Sequence, residues 1–212
     1  MPIPFLVGIA VAGFGAKKVY DNYKIKAKEK EAAEQVEAEN LFSHVTSEET
    51  LQISRALQEH LTDPTFFYFC HVSGKDRVKI ARAIRAYAEL EEGEEPVASF
   101  DATLFGAADE GVVLTTKRMI YSVGFESGEV RYEKAEQPQV VKYVEATKEL
   151  GCKINPWTGK ASPTLKDGTR AEYWLVVKED GKKKKKLQED LSIGKKVLEN
   201  LCEAIRYFQN KS

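Results

Sequence analysis

The stretch that decides the fold of this chain reads Gly111-Val112-Val113-Leu114-Thr115-Thr116-Lys117-Arg118-Met119-Ile120-Tyr121-Ser122. Two short apolar runs rich in β-branched residues flank a polar Thr-Thr-Lys-Arg step. This pattern predicts two strands, Gly111–Thr115 and Arg118–Val123, joined by a tight turn. Gly124 and Gly128 follow the second run and mark its exit. We therefore place this hairpin at the centre of a β-rich domain.

Further short strands are predicted on both sides of the hairpin. Asp180-Gly181 is a strong hairpin signal, so the chain returns as a strand from Lys182 onward. A final amphipathic helix is predicted over Leu191 to Phe208, capped by Asp190 or Ser192. A region rich in loop-forming residues, from Gly151 to Gly168, is predicted to be a loop. The other predicted strands cover Val97–Phe100, Glu129–Glu133, Val140–Val144 and Arg170–Lys178.

The order of these motifs resembles the bacterial pleckstrin-homology-like (PH-like) domains over roughly residues 94–210. The resemblance is carried by Gly93-Glu94-Glu95-Pro96, then the Gly111–Tyr121 hairpin, further strands and a terminal helix. It implies an α+β fold, a half-open β-barrel with a C-terminal helix. In that family the turn at Thr116, Lys117 and Arg118 is structural, so no binding role is implied for it. PH-like folds bind lipids, peptides or proteins, so the fold does not choose the ligand.

Residues 1–16 form an apolar N-terminal segment with no charged side chain before Lys17. It is shorter than the roughly 20 residues that a membrane-spanning helix needs. Whether it spans the membrane, lies on it or avoids it therefore stays open. No basic residue precedes it, which argues against a cleaved signal peptide. As a membrane anchor or interfacial helix it would use its large apolar side chains: Phe5, Leu6, Val7, Ile9, Val11 and Phe14.

Residues 17–45 are predicted to be a charged helical linker. Six lysines cluster at its start, with Tyr20 and Tyr23 among them. Lysines suit the anionic cytoplasmic leaflet and tyrosines suit the membrane interface. This arrangement predicts a cytoplasmic body at the inner face of the cytoplasmic membrane. A solvated helical linker also accounts for these residues, and the two interpretations are compatible.

Residues 46–92 are predicted to be a small helical unit. Thr46-Ser47-Glu48-Glu49 has the spacing of a capping box and predicts a helix start. A second helix is predicted after Ser73-Gly74, ending near Gly93. The apolar run Phe66–Phe69 between the two helices predicts a buried segment, and we expect it to pack on the β domain.

Catalytic, metal and cofactor chemistry finds little support in the sequence. The three histidines, His44, His60 and His71, lack metal-ligand spacing, and no CxxC pair occurs among the three cysteines. The apolar surroundings of Cys70 predict a raised thiol pKa and an inert side chain. A hydrolase using Cys70 or His71 is kept as a rival. The net charge of −1 gives no indication of nucleic-acid binding.

The run Lys182, Lys183, Lys184, Lys185 and Lys186 is the most conspicuous charged feature. One interpretation is a patch for anionic lipid headgroups, since each lysine near such a surface contributes about 1 kcal/mol. The other is a solvated edge strand whose lysines block sheet-to-sheet pairing. Trp157, with Lys160 beside it, is a second candidate for a lipid contact, or else a loop tryptophan folded over the core.

The sequence thus predicts a non-catalytic, membrane-associated binding module that recognises anionic headgroups or a protein partner. Membrane lipids, a protein partner or a second copy are its candidate partners, and no cofactor or metal is implied. The alternative is a soluble adaptor or oligomeric scaffold whose apolar N-terminus is buried in a partner.

Overall fold

The computed structural model gives an α+β fold built from four helices and two antiparallel sheets in the described part of the chain. The backbone is described over residues 4–103, 107–154, 161–189 and 193–211, and the side chains over 24–44, 46–103, 107–144, 171–189 and 193–211. The helices are α1 (Pro4–Val45), α2 (Glu48–His60), α3 (Lys75–Ala86) and α4 (Lys195–Gln209). The strands are β1 (Phe67–Phe69), β2 (Pro96–Asp101), β3 (Gly111–Thr115), β4 (Arg118–Val123), β5 (Glu126–Arg131), β6 (Glu136–Ile154), β7 (Ala161–Glu179) and β8 (Lys182–Gln188).

The central hairpin is confirmed, because β3 and β4 have the bounds that the sequence predicts. The strands are antiparallel, with Val112 opposite Tyr121. The hydroxyl of Thr115 organises the turn by accepting hydrogen bonds from the amides of Lys117, at 3.2 Å, and Arg118, at 3.0 Å. The two predicted strands therefore form, and a polar side chain of the Thr-Thr-Lys-Arg step stabilises the turn between them.

Two helices, α3 and α4, pack against the two sheets. The first sheet has the order β1-β2-β3-β4-β5 and the second has the order β6-β7-β8. One face of each sheet meets α4 in a single core, represented by Leu114, Leu175 and Leu201, all fully buried. Helix α3 covers the opposite face of the five-stranded sheet, where Ala83 packs with Val113. The α+β class and the C-terminal helix are confirmed.

No closed barrel forms among the described strands, because β5 and β8 are not paired in a backbone ladder. Side chains bridge this seam instead. The Lys186 ammonium donates to the carbonyl oxygen of Glu129 at 3.2 Å. The backbone amide of Gln188 donates to Glu126 Oε2 at 3.1 Å. The half-open PH-like barrel stays a prediction.

The predicted loop from Gly151 to Gly168, between β6 and β7, is wrong for most of its length. β6 continues to Ile154 and β7 begins at Ala161, so most of this region forms a two-stranded arm. Pairing along the arm overrides the local loop propensity of its glycines and prolines. β8 pairs only with Trp174–Glu179, which leaves β7 an edge strand in the arm. Edge strands tolerate a proline such as Pro163.

The helix starts differ from the predicted caps by small shifts. Ser47, not Thr46, is the N-cap of α2, and its hydroxyl accepts from the Thr50 amide at 3.2 Å. Glu95 accepts from the Ser47 amide at 2.6 Å, so a residue distant in sequence takes the place of the glutamate in the predicted box. Helix α4 begins after Gly194 without a side-chain cap. Asp190 and Ser192, the predicted caps, lie outside the described residues.

The apolar run at 66–69 joins the five-stranded sheet as its edge. Phe67 pairs with Phe100 and Phe69 pairs with Ala98, so β1 connects the predicted helical unit with the β domain. Phe67 and Phe69 are buried as predicted, whereas Phe66 is 44% exposed. Phe66 ends a short 3-10 turn ahead of the strand, which explains why the burial begins one residue later.

We expect Leu201→Ala to lower the free energy of unfolding by about 2–5 kcal/mol, the usual cost of a large-to-small core change. Leu201 is fully buried between α4 and the two sheets. Urea unfolding of the full chain measures the change. The control is Glu199→Ala on the exposed side of the same helix, which should cost less than about 0.5 kcal/mol. Equal effects of the two substitutions would mean that α4 does not plug the core.

Candidate functional site

The lysine run occupies β8, directly after a tight turn. Asp180 and Gly181 both have positive φ angles, 51° and 76°, as a type I′ hairpin turn requires. β8 pairs antiparallel with β7, and a register shift occurs between the pairs Leu175–Leu187 and Val176–Lys185. The Asp180-Gly181 hairpin and the returning strand are confirmed.

Two lysines of the run point toward the interior side of the sheet and are paired with one carboxylate. Lys184 lies opposite Val177, which belongs to the core, and directly paired residues share a face. Glu179 Oε2 is 2.9 Å from the Lys184 ammonium, and Glu179 Oε1 is 2.6 Å from that of Lys186. Burial alone would raise the pKa of Glu179, but the hydrogen bonds from these lysines lower it below its ordinary value. The single carboxylate therefore offsets one of the two positive charges.

Two other lysines point to the outward face of the three-stranded sheet. Lys183 lies opposite Lys178 and Lys185 lies opposite Val176, on the side away from Val177. Lys183 is exposed and makes no ion pair with another described residue. Lys178 is paired with Glu136 at 3.2 Å. The outward face therefore carries two lysines of the run that make no ion pair with another described residue, whereas Lys182 lies opposite Glu179 on the side of Lys184.

Aromatic rings lie beside one of these outward lysines, Lys185. The ammonium of Lys185 is 3.9 Å from the centre of the Tyr143 ring and 4.7 Å from that of Trp174. The indole Nε1 of Trp174 donates to Glu172 Oε2 at 3.4 Å. Aromatic side chains next to lysines are typical of surfaces that contact the membrane interface. We call Tyr143, Trp174, Lys183 and Lys185 the outward patch.

The sequence-based site is thus split by the structure. The five lysines lie on one strand as expected, but only Lys183 and Lys185 join the outward patch. Trp157 and Lys160 lie outside the described residues. Sequence reasoning missed Tyr143 and Trp174. Strand alternation could have found Trp174, since Leu175 and Val177 read as inward-facing and Trp174 then faces out.

The predicted anchor lies in the first turns of a long helix. Helix α1 runs without interruption through the predicted boundary between residues 16 and 17. The anchor residues Phe5, Leu6, Val7, Ile9, Val11 and Phe14 fall within α1, and their side chains lie outside the described ones. Within the described residues, no helix combines the length and apolar character needed to cross a membrane.

The C-terminal part of α1 is fastened to the body of the protein. Ala38 and Phe42 pack with Cys70, Ile80 and Ala81 in a separate small core. Residues 24–33 have exposed side chains, so the attachment begins at Glu34. Three arginine–glutamate pairs join α3 to α1: Arg77–Glu39, Arg82–Glu34 and Arg85–Glu37.

The candidate catalytic residues of the rival hydrolase have unfavourable surroundings. Cys70 is fully buried, and burial raises the pKa of its thiol to about 11. His71 Nδ1 is 3.0 Å from the Ser54 hydroxyl, which donates its proton to the carbonyl of Val97 at 2.8 Å. His71 must then donate to Ser54, so it cannot act as the base for that hydroxyl. No cluster of potential metal ligands occurs among the described residues.

Arg118, in the turn of the central hairpin, is bound inside the protein. Its Nε and Nη2 atoms each donate to one oxygen of Glu94, at 2.9 Å, and Nη2 also donates to the carbonyl of Glu89. Nη1 pairs with Glu129. Glu94 has a fully buried side chain. These contacts use most of the guanidinium donors and tie the Gly-Glu-Glu-Pro loop to the hairpin.

Comparisons with protein families, with curated proteins and with solved structures give no match to this chain.

Proposed function

We propose that this protein is a non-catalytic, membrane-associated binding module whose body recognises anionic lipid headgroups. The apolar N-terminal segment tethers the chain to the inner face of the cytoplasmic membrane. The outward patch of the three-stranded sheet then contacts the headgroups. The body is of the PH-like type, with the β5–β8 seam as its open side.

The observation that carries this proposal is the division of the lysine run into two faces. Lys184 and Lys186 are paired with Glu179, whereas Lys183 and Lys185 face outward, with Lys185 beside two aromatic rings. A sheet edge that needs lysines only as a guard against pairing does not need rings beside them. Lysines flanked by tyrosine and tryptophan suit the zone where headgroups meet the aqueous phase.

The PH-like assignment is supported by element order. From β2 to α4 the chain forms seven strands and a terminal helix, with the sheets packed on a shared core. The hairpin and the Glu94–Arg118 pair lie in the stretch that carries the resemblance. Fold type by itself does not select a ligand, so the outward patch and not the PH-like order is the basis for lipid recognition.

The test measures vesicle binding of the full-length chain. A fragment starting at residue 94 is unsuitable, because it lacks β1 and the two helices that pack on the sheet. We expect Lys183→Gln with Lys185→Gln to weaken binding to vesicles containing phosphatidylserine about 30-fold, at roughly 1 kcal/mol for each lysine. Binding to neutral phosphatidylcholine vesicles should stay unchanged. Co-sedimentation at low and physiological salt measures the affinity of each chain for both kinds of vesicle.

The matched control is Lys184→Gln with Lys186→Gln, which changes the net charge by the same amount. Its effect on phosphatidylserine binding should be less than about fivefold, because both ammonium groups are already paired with Glu179. Equal losses for the two double variants would show a general charge effect. No loss for either would favour the edge-guard interpretation, with aggregation as the expected consequence.

A protein partner is a second candidate, favoured by Phe125. This residue lies at the tip of the β4–β5 hairpin and is fully exposed, at 110% of the reference value. The residues on either side of Phe125 are held by hydrogen bonds. The backbone amide of Gly124 donates to Glu110, and Glu126 accepts from the backbone amide of Gln188. Aromatic residues, phenylalanine included, are enriched in protein interfaces. A photo-crosslinking residue at position 125, compared with one at Ser127, tests for a protein in contact.

A further inference from the structure

The arrangement of Lys185, Tyr143 and Trp174 resembles a ligand seated in a binding site. The three side chains come from three adjacent strands and share the outward face of the sheet. Tyr143 lies opposite Glu172 and Trp174 lies opposite Val141, so the two rings are diagonal neighbours. Diagonal neighbours are about 7–8 Å apart, which leaves room for an ammonium group between the rings.

The ammonium of Lys185 occupies this space. It reaches across β7, so that its Nζ atom lies closer to the Tyr143 ring, at 3.9 Å, than to the Trp174 ring, at 4.7 Å. Both distances are within the roughly 6 Å over which a cation is attracted to a ring face. Glu172, which accepts from the Trp174 indole, adds a negative charge at the rim. Two rings around one cation, with a carboxylate hydrogen-bonded to one of the rings, form an environment that favours a cation.

We propose that Tyr143 and Trp174 form a binding site for a substituted ammonium ion, and that Lys185 is its internal occupant in this structure. Lys185 is exposed and is attached by a flexible stem, so an external cation can displace it. Alkylated ammonium groups suit such a site, because aromatic rings recognise them by the same cation–π attraction. The site does not rest on headgroup recognition, since its ligand is a cation and it is tested with a soluble one.

Displacement has a consequence for the outward patch. When an external cation takes the place of Lys185, the lysine side chain swings out beside Lys183. The ammonium group of Lys185 is then released from the rings and can approach an anion more closely. Binding of the cation and binding of an anion are therefore coupled, and linkage requires the coupling to be reciprocal.

The test titrates the full-length chain with tetramethylammonium chloride and follows the indole resonance of Trp174 by NMR. The chain has two tryptophans, so a Trp157→Phe variant assigns the signal. Sodium chloride at the same ionic strength is the blank. We expect weak binding to the unmodified chain and about fivefold tighter binding to Lys185→Ala, because the internal competitor is gone.

Two controls separate the site from general electrostatics. Lys183→Ala removes a charge from the same face without touching a ring, and its affinity should stay within about twofold of the unmodified chain. Tyr143→Leu should lose binding, whereas Tyr143→Phe keeps the ring and should retain it. Equal tightening by Lys183→Ala and Lys185→Ala would overturn the proposal. So would a Trp174 resonance that tetramethylammonium leaves unmoved in both the unmodified chain and Lys185→Ala.

Discussion

Removal of residues 1–16 should weaken binding of the chain to vesicles by at least about 1,000-fold. Full burial of one Val, Leu, Ile or Phe side chain is worth about 1.5–3 kcal/mol, so partial burial of six gives several kcal/mol. Each 1.4 kcal/mol is a factor of about ten. The body should keep its fold, because the attachment of α1 to α3 begins only at Glu34. Flotation with phosphatidylcholine vesicles measures binding, and thermal unfolding checks the fold.

The control keeps residues 1–16 and changes the lysines of the exposed stretch to glutamine: Lys24, Lys26, Lys28 and Lys30. This variant should still bind phosphatidylcholine vesicles, because it keeps the apolar segment, and should lose only part of the added binding to phosphatidylserine, because the outward patch supplies the rest. A truncated chain that floats as well as the full-length chain would contradict the tether. If the truncated chain binds only vesicles that contain phosphatidylserine, the lysines and not the apolar segment are responsible for binding.

Arg118→Met should lower the free energy of unfolding by about 3–5 kcal/mol, the usual cost of removing one partner of a buried ion pair. The substitution leaves the fully buried Glu94 carboxylate without its two guanidinium hydrogen bonds. Urea unfolding at neutral pH measures the loss. A loss below about 1 kcal/mol would mean that Glu94 finds other partners or becomes protonated at little cost.

The pH dependence of that loss identifies its cause. Burial alone would raise the pKa of Glu94, but Arg118 and other hydrogen-bond donors hold it below the ordinary 4.5. In the unmodified chain Glu94 therefore contributes stability above pH 4.5, and this contribution is lost as the pH falls through its folded pKa. Without Arg118 burial dominates and the pKa rises, so acid favours the folded variant. The difference between the two chains should shrink as the pH is lowered.

A second variant separates the pair from the packing around it. Arg118→Met combined with Glu94→Gln removes the unpaired charge, so it should be less destabilised than Arg118→Met alone. The side-chain amide introduced by Glu94→Gln can still accept from Thr115, whose hydroxyl is 2.6 Å from Glu94 Oε1. If the double variant is no more stable than the single one, the loss comes from packing and not from the buried charge.

The local signals of the sequence predicted the elements that depend on local chemistry. The central hairpin and the Asp180-Gly181 turn formed as expected, because their turn residues restrict the backbone directly. The arm of β6 and β7 was missed, since its strands are stabilised by pairing with each other over a long register and not by propensity. A pattern of glycine and proline describes the isolated segment and carries no information about its partner strand.

The candidate site likewise combines features visible in the sequence with features that depend on distant partners. The lysine run was visible in the sequence, but its separation into paired and outward residues depends on Glu179 and on the register of β7 against β8. The partnership of Tyr143 with Lys185 joins residues far apart in the chain, and no local spacing indicates it. The three arginines of α3 were likewise unassigned until α1 supplied their glutamates.

The docking of α1 onto α3 fixes the distance between the apolar N-terminal segment and the body of the protein. Residues 16 and 34 are 18 positions apart, which at 1.5 Å per residue is a distance of about 27 Å. A helix standing upright from the bilayer would hold the body at that height, more than three times the roughly 8 Å over which exposed charges act at physiological salt. In the proposed arrangement, the lysines of β8 would reach headgroups only with the helix lying along the surface. Because the arginine–glutamate pairs fix the helix to the body, the tilt of one sets the tilt of the other.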